Sequence, residues 1–234
     1  MIIKTFKLNE TECVIAKLFW TDLAEKKQGV VVIPQKDESR RTISAIKADA
    51  LWDIKKDIKK LYINADIKKI PAMMCQEAEK LSEVFLPSSV TAIHQQAFER
   101  CTSLKDINLD SIQYIGYKAF QSSGLEEVVI NQHISYVGDE AFSSCEQLNR
   151  IFWMSECLIP SLTFYGCRSL NEVSFPPILE GIGAGAFLGT ALKEANLSFV
   201  VFNDMAYAND LVLEKSFDAE TNVRYPYYIE KHKD

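Results

Sequence analysis

From Leu81 the chain reads LSEVFLPSSVTAIHQQAFERCTS, with apolar or small residues at Leu81, Val84, Leu86, Val90, Ile93, Ala97, Phe98 and Cys101. Val84 and Leu86 alternate with Glu83 and Phe85, the period-2 pattern of a strand with one face inward. SVTAI is a second short extended piece, and AFERC reads as a single helical turn on the far side. The same order restarts at Leu104, Leu125, Leu148 and Leu170, at intervals of 21 to 23 residues. Ile58 opens another such unit upstream. Leu192 opens one more, whose second half departs from the pattern. A unit this short cannot bury its own apolar face, so successive units must stack and pair their strands in parallel.

The first unit is stretched. Val31, Ile33 and Pro34 match Val84, Leu86 and Pro87, and Ile46, Ala50, Leu51 and Ile54 match Ile93, Ala97, Phe98 and Cys101, with QKDESRR as the added loop. The organisation is therefore a capping hairpin over residues 1–27, repeats over 28–191 with the stretched unit at 28–57, and a degenerate last repeat with a C-terminal cap over 192–234. IIKTF and TECVIAKLFW are the hairpin strands. RYPYYIEKHKD is placed over the last coil. Leu51, Ile54, Ile58 and Leu61 stand at helical spacing and predict a helix longer than elsewhere. Residues 47–69 carry seven Lys against four Asp. Such a helix is either a core helix with a solvated Lys face or a basic amphipathic surface for a membrane or partner.

The shared pattern, L-x-x-I-x-L-P-x-S-V-x-x-I-G-x-x-A-F-x-x-C, resembles the BspA-like leucine-rich repeat family, best at Leu81–Ser103 and Leu125–Gln147. Arg150–Ser155 lacks the Pro, Ala186–Phe187 leads to no Cys, and the last unit lacks the Ala-Phe pair. The resemblance implies a leucine-rich repeat solenoid, α/β but mostly β. Its form is a right-handed curved superhelix with parallel strands on the concave face, and short second strands and single helical turns elsewhere. It also implies a non-enzymatic module that binds a macromolecular partner. The alternative function is a bacterial surface adhesin, since members of the family are often surface proteins.

Composition narrows the field. Of 234 residues, 26 are Lys or Arg and 32 Asp or Glu, a net charge of −6. That balance disfavours nucleic acid, whose phosphates need a basic surface. No apolar run approaches the ~18 residues of a membrane span, so no membrane insertion is expected. Lys4, Lys7 and Glu10 interrupt any signal-peptide core. The chain as given reads as cytoplasmic, or as a surface or secreted protein if a leader precedes Met1, and a monomer is favoured. Cys101, Cys145 and Cys167 share one repeat position with Ala78, Ser123 and Thr190, which points to compact packing side chains rather than to a disulfide or a nucleophile. Gly138 and Gly183 follow the second strand, where a tight turn suits glycine.

No catalytic constellation emerges. His94, His133 and His232 are scattered, and no catalytic residue, cofactor or metal site is expected. GIGAGA at 181–186 formally fits a dinucleotide fingerprint. Its Ile182, Gly183, Ala186 and Phe187 are the repeat's own I-G-x-x-A-F, and no long helix follows.

The candidate site is a surface. On the first strand of each unit, outward positions form two columns. One runs Lys60, Glu83, Asp106, Glu127, Arg150, Glu172 and Glu194. The other runs Tyr62, Phe85, Asn108, Val129, Phe152, Ser174 and Asn196. Acidic groups stacked at ~5 Å repel one another and lower stability slightly. The column is either a solvated face or, beside Tyr62, Phe85 and Phe152, a site for a basic protein segment.

Overall fold

The computed structural model describes residues 1–192 and the backbone of Val201–Phe202. The expectations for the last repeat and C-terminal cap, including Glu194, Asn196 and His232, otherwise lie outside the described residues. In chain order the cap holds β1 (Ile2–Lys7), β2 (Glu12–Phe19) and α1 (Leu23–Gln28). The coils follow as β3 (Val30–Ile33), β4 (Thr42–Ile46), β5 (Lys60–Ile63), β6 (Lys69–Ile70), β7 (Glu83–Phe85) and β8 (Ala92–Ile93). After these come β9 (Tyr114–Ile115), β10 (Glu127–Ile130), β11 (Tyr136–Val137), β12 (Arg150–Trp153), β13 (Glu172–Ser174), β14 (Ile178–Leu179) and β15 (Val201–Phe202).

The first strands of successive coils pair in parallel, residue for repeat-equivalent residue: Leu61 opposite Val84, Ile151 opposite Val173. The second strands form their own parallel sheet, in the order β6-β8-β9-β11. Between the first strands and the second strands lies one continuous core. This is a leucine-rich repeat solenoid. In the cap, β1 and β2 form the expected antiparallel hairpin, and β2 continues in parallel onto β4 of the stretched coil. Val201–Phe202 pairs in parallel with β14, the second strand of the preceding coil.

Helix α1 was not anticipated. Asp22 caps it, its side chain accepting from the N–H groups of Ala24 at 2.8 Å and Glu25 at 2.9 Å. Glu25 reaches back to the Thr21 N–H at 2.9 Å and to the amino terminus of Met1. Gly29 ends the helix at φ 66°, its N–H bonding the Glu25 carbonyl. Asp22-x-x-Glu25 carries the sequence signature of a capping box, although Glu25 bonds the N–H of Thr21 rather than that of Asp22.

The helix expected over Leu51–Leu61 does not form. That stretch is a run of turns with one 3-10 turn at Lys55–Asp57, and Ile58 is already extended at φ −68°, ψ 130°. Leu51, Ile54, Ile58 and Leu61 are all buried, but on turns that wrap the core, because the chain must straighten to enter β5. There is accordingly no basic amphipathic helix. Lys55 is itself buried, its ammonium 4.3 Å from the Trp52 ring centroid.

The single helical turns of the Ala-Phe segments are also absent. Each coil after the stretched one instead places two residues, four apart, in the left-handed region, as at Gln96 and Arg100, Lys118 and Ser122, Glu140 and Ser144. This turns N–H groups along the stack. Gln96, Phe98 and Arg100 donate to the carbonyls of Tyr117, Ala119 and Gln121 in the next coil at 2.7–2.9 Å. A helix would have spent those donors within its own turn.

Gly138 and Gly183 serve close approach rather than a turn. Neither has a positive φ, but a Cβ on Gly138 would lie 2.5 Å from the Tyr117 nitrogen, and one on Gly183 2.4 Å from that of Ser161. Phe98, Phe120, Phe142, Phe164 and Phe187 form one internal column of stacked rings, centroids 5.3–5.7 Å apart. Cys101, Cys145 and Cys167 are fully buried beside them as free thiols. Burial raises the Cys101 and Cys167 thiols well above the ordinary range and pushes Cys75 up to about 12.

Strand pairing was expected through every coil, and it fails in one. Residues 105–109 form no strand, so the first-strand face consists of β3-β5-β7 and β10-β12-β13. This unit is the 21-residue one, and Asp110 stands where Leu81–Ser103 has Pro. The Asn108 side chain accepts from the Asp110 N–H at 2.8 Å, and Asn131 Nδ2 donates to the Leu109 carbonyl at 2.8 Å. The first bond closes a local turn at the end of the segment and the second ties its carbonyl to the next coil.

Candidate partner-binding face

The sheet register assembles the first column from residue chemistry that the pleat turns outward. Lys60 stands opposite Glu83, and Arg150 between Glu127 and Glu172. Cross-strand neighbours this close interact directly. Lys60 Nζ lies 2.7 Å from Glu83, which also accepts from the Tyr62 hydroxyl. Arg150 reaches Glu172 at 3.0 Å and Glu127 at 3.5 Å. The hydrogen bonds from Lys60 and Tyr62 hold the Glu83 carboxyl below its usual range, and the same contacts raise Lys60 and Tyr62.

The expected mutual repulsion of an acidic run is therefore corrected. Two cations sit within the column and pair with three of its carboxylates, Lys60 with Glu83 and Arg150 with both Glu127 and Glu172. Asp106, on the strandless segment, is left without a cationic partner among the described residues. All of these pairs are solvent-exposed, where an ion pair contributes about 0–1 kcal/mol, so they organise the face more than they stabilise it.

The second column is the apolar one. Tyr62 and Phe85 are neighbours across β5 and β7, and Val129, Phe152 and Ser174 across β10, β12 and β13. Phe85 is 52% exposed and Val129 41%. The Arg150 guanidinium lies 5.9 Å from the Phe152 ring centroid. Asn108 is exposed and turned into its local bond with Asp110. The stretched coil extends this column with Val32 and the other with Val30, both exposed and both absent from the sequence-based set. The VVVIP match to EVFLP carried the signal for them.

Two depressions border the columns. One, of about 550 Å³, is lined by Phe85 with Pro34, Ile63, Asn64 and Pro87. The other, of about 290 Å³, lies where the ladder is missing, between Asp106–Asp110 and Glu127–Val129. Among the described residues no group of three or more His, Cys, Asp or Glu could hold a metal ion, and no helix is long and apolar enough to cross a membrane. At 181–186, Ile182, Ala186 and Phe187 are core residues of their coil, and turns rather than a helix follow.

Comparison with known proteins agrees with this architecture. A leucine-rich repeat protein from T. pallidum superposes with a TM-score of 0.73 at 21% identity, over 83% of this chain and 89% of that one. One from Bacteroides ovatus gives 0.64 at 23% identity, over 82% of this chain. The chain spans 56% of the length of the B. ovatus protein. No curated protein sequence matches. The family model for the BspA type leucine rich repeat region matches in six copies, over residues 38–120 and 102–214. The chain thus belongs to the BspA-type leucine-rich repeat family.

Proposed function

We propose that the chain is a non-catalytic protein-binding module whose first-strand face takes a basic, partly aromatic segment of a protein partner. The observation that carries this reading is the side-by-side arrangement of the two columns. Exposed Val32, Phe85 and Val129 and half-buried Tyr62 and Phe152 form a column two residues along the strands from the charged one. Apolar anchors beside charges are the usual makings of an interface core with a polar rim. The depression beside Phe85 offers an aromatic side chain a place to insert, and Asp106 offers an uncompensated negative charge to a Lys or Arg.

The test is affinity capture from extract of the source cells, with the unaltered chain against Phe85→Ser/Asp106→Lys. Neither residue is buried in the core, and circular dichroism checks the fold of the variant. Loss of captured proteins, with capture by the unaltered chain weakening as salt rises, supports the reading. The same proteins captured by both at the same salt tolerance would place the binding surface elsewhere.

A further inference from the structure

On the edge where α1 meets the coils, four lysines from three successive segments line one cavity with a single carboxylate, which pairs with two of them. Lys26 and Lys27 come from the last turn of α1, Lys59 precedes β5, and Lys80 lies one coil further on. With Leu23 and Asp57 they line an open cavity of about 400 Å³. Asp57 spends both oxygens here: Lys26 lies 3.2 Å from one and Lys80 3.1 Å from the other. Burial works to raise the Asp57 carboxyl, but the hydrogen bonds from Lys80 and Lys26 outweigh it, and it stays ionised below the usual range. Lys59 Nζ donates one bond, 2.8 Å long, to the Lys27 carbonyl. Neither Lys27 nor Lys59 has a carboxylate partner among the described residues. The cavity holds an excess of positive charge in a chain whose net charge is −6.

Proteins ordinarily intersperse opposite charges on their surfaces, and like charges gathered around a hollow raise the local concentration of counter-ions. The donors are all ammonium groups. Each is a rotatable point charge with three donors, able to meet the oxygens of a phosphate or sulfate group from several directions. We propose that this cavity binds a ligand carrying two or more phosphate or sulfate groups. Lys27 and Lys59 contact the anion first, Lys26 and Lys80 hold its flanks, and Asp57 fixes the spacing of those two. The exposed Leu23 gives the ligand an apolar wall. Because three segments meet only in the folded stack, binding also favours the folded chain.

Two probes separate the sources of such a ligand: inorganic pyrophosphate for phosphorylated molecules, and a fully sulfated disaccharide for sulfated glycans. Titration calorimetry on the whole chain at low salt is expected to give one-site saturation with at least one of them. Lys27→Gln/Lys59→Gln should weaken it by about tenfold or more, the loss of about 1.4 kcal/mol of binding. Lys68→Gln/Lys69→Gln removes the same charge elsewhere and should leave it within about twofold, against that same scale. Circular dichroism verifies folding, and Lys80→Gln serves as a second variant if the pair disturbs it. Failure of both probes to saturate overturns the proposal, as does equal weakening by the two double variants.

Discussion

Phe142 lies between Phe120 and Phe164, ring centroids 5.3 and 5.7 Å away, and is fully buried. Phe142→Ala should therefore lower the unfolding free energy by about 3–5 kcal/mol, read from a urea or guanidinium transition, since neighbouring coils cannot collapse onto the space without breaking their own register. A loss below about 1 kcal/mol would contradict the column. Residues of this kind were legible in the sequence because the same side chain returns at every repeat. The left-handed positions were not. Met73, Gln96, Lys118, Glu140, Leu162 and Gly185 fill one of them and share no chemistry. Stacking enforces that backbone against a local preference of about 1–2 kcal/mol per residue, and only Gly166, Gly185 and Gly189 betray it.

Among the elements, the Asp22-x-x-Glu25 signature marks the start of α1, while the apolar spacing over Leu51–Leu61 predicts a helix where none exists. Both outcomes have one cause. Apolar spacing reports which side chains must be buried, and a wrapped turn buries i, i+3 and i+7 as well as a helix does. The caps report what the backbone does. The stretched loop of the first coil shows a further device that spacing could not reveal. The Asp37 side chain accepts from the Arg41 guanidinium at 2.6 and 2.9 Å, from its backbone N–H at 2.9 Å and from Thr5 at 3.1 Å. The Arg41 hydrogen bonds, against burial, bring its carboxyl down to about 2. A carboxyl depressed in the folded state stabilises above its unfolded value near 3.9, and loses that contribution as pH falls toward about 2. Asp37→Asn should therefore shift the urea midpoint downward at pH 7, and the difference from the unaltered chain should close between about pH 4 and pH 2. A difference independent of pH would mean that the charge on Asp37 contributes nothing.

At the scale of the molecule, the parallel arrangement of strands followed from the repeat itself, but the interruption of the first-strand face did not. A repeat shorter by two residues looks like ordinary length variation, and only the structure shows that Asn108 bonds the Asp110 N–H and Asn131 the Leu109 carbonyl where a strand would run. From Asp106 to Leu109 no backbone N–H donates to another group of the described residues, whereas those of β10 and β12 lie within a ladder. Amide hydrogen exchange should accordingly be fast over residues 105–109 and protected on either side. Protection across that segment equal to its neighbours would show the ladder closed in solution.

The two faces of the stack then differ mechanically. On one, the sheet β6-β8-β9-β11 runs unbroken past the short coil, and behind it the phenylalanine column continues through it as well. On the other, two three-stranded plates meet at a seam held by few backbone bonds. Such a body is stiff in tension along its back and compliant along its front. Flexing about the seam would spread or pinch Phe85 relative to Phe152 while the core stays in register, so a single break in the ladder gives the front face an adjustable span.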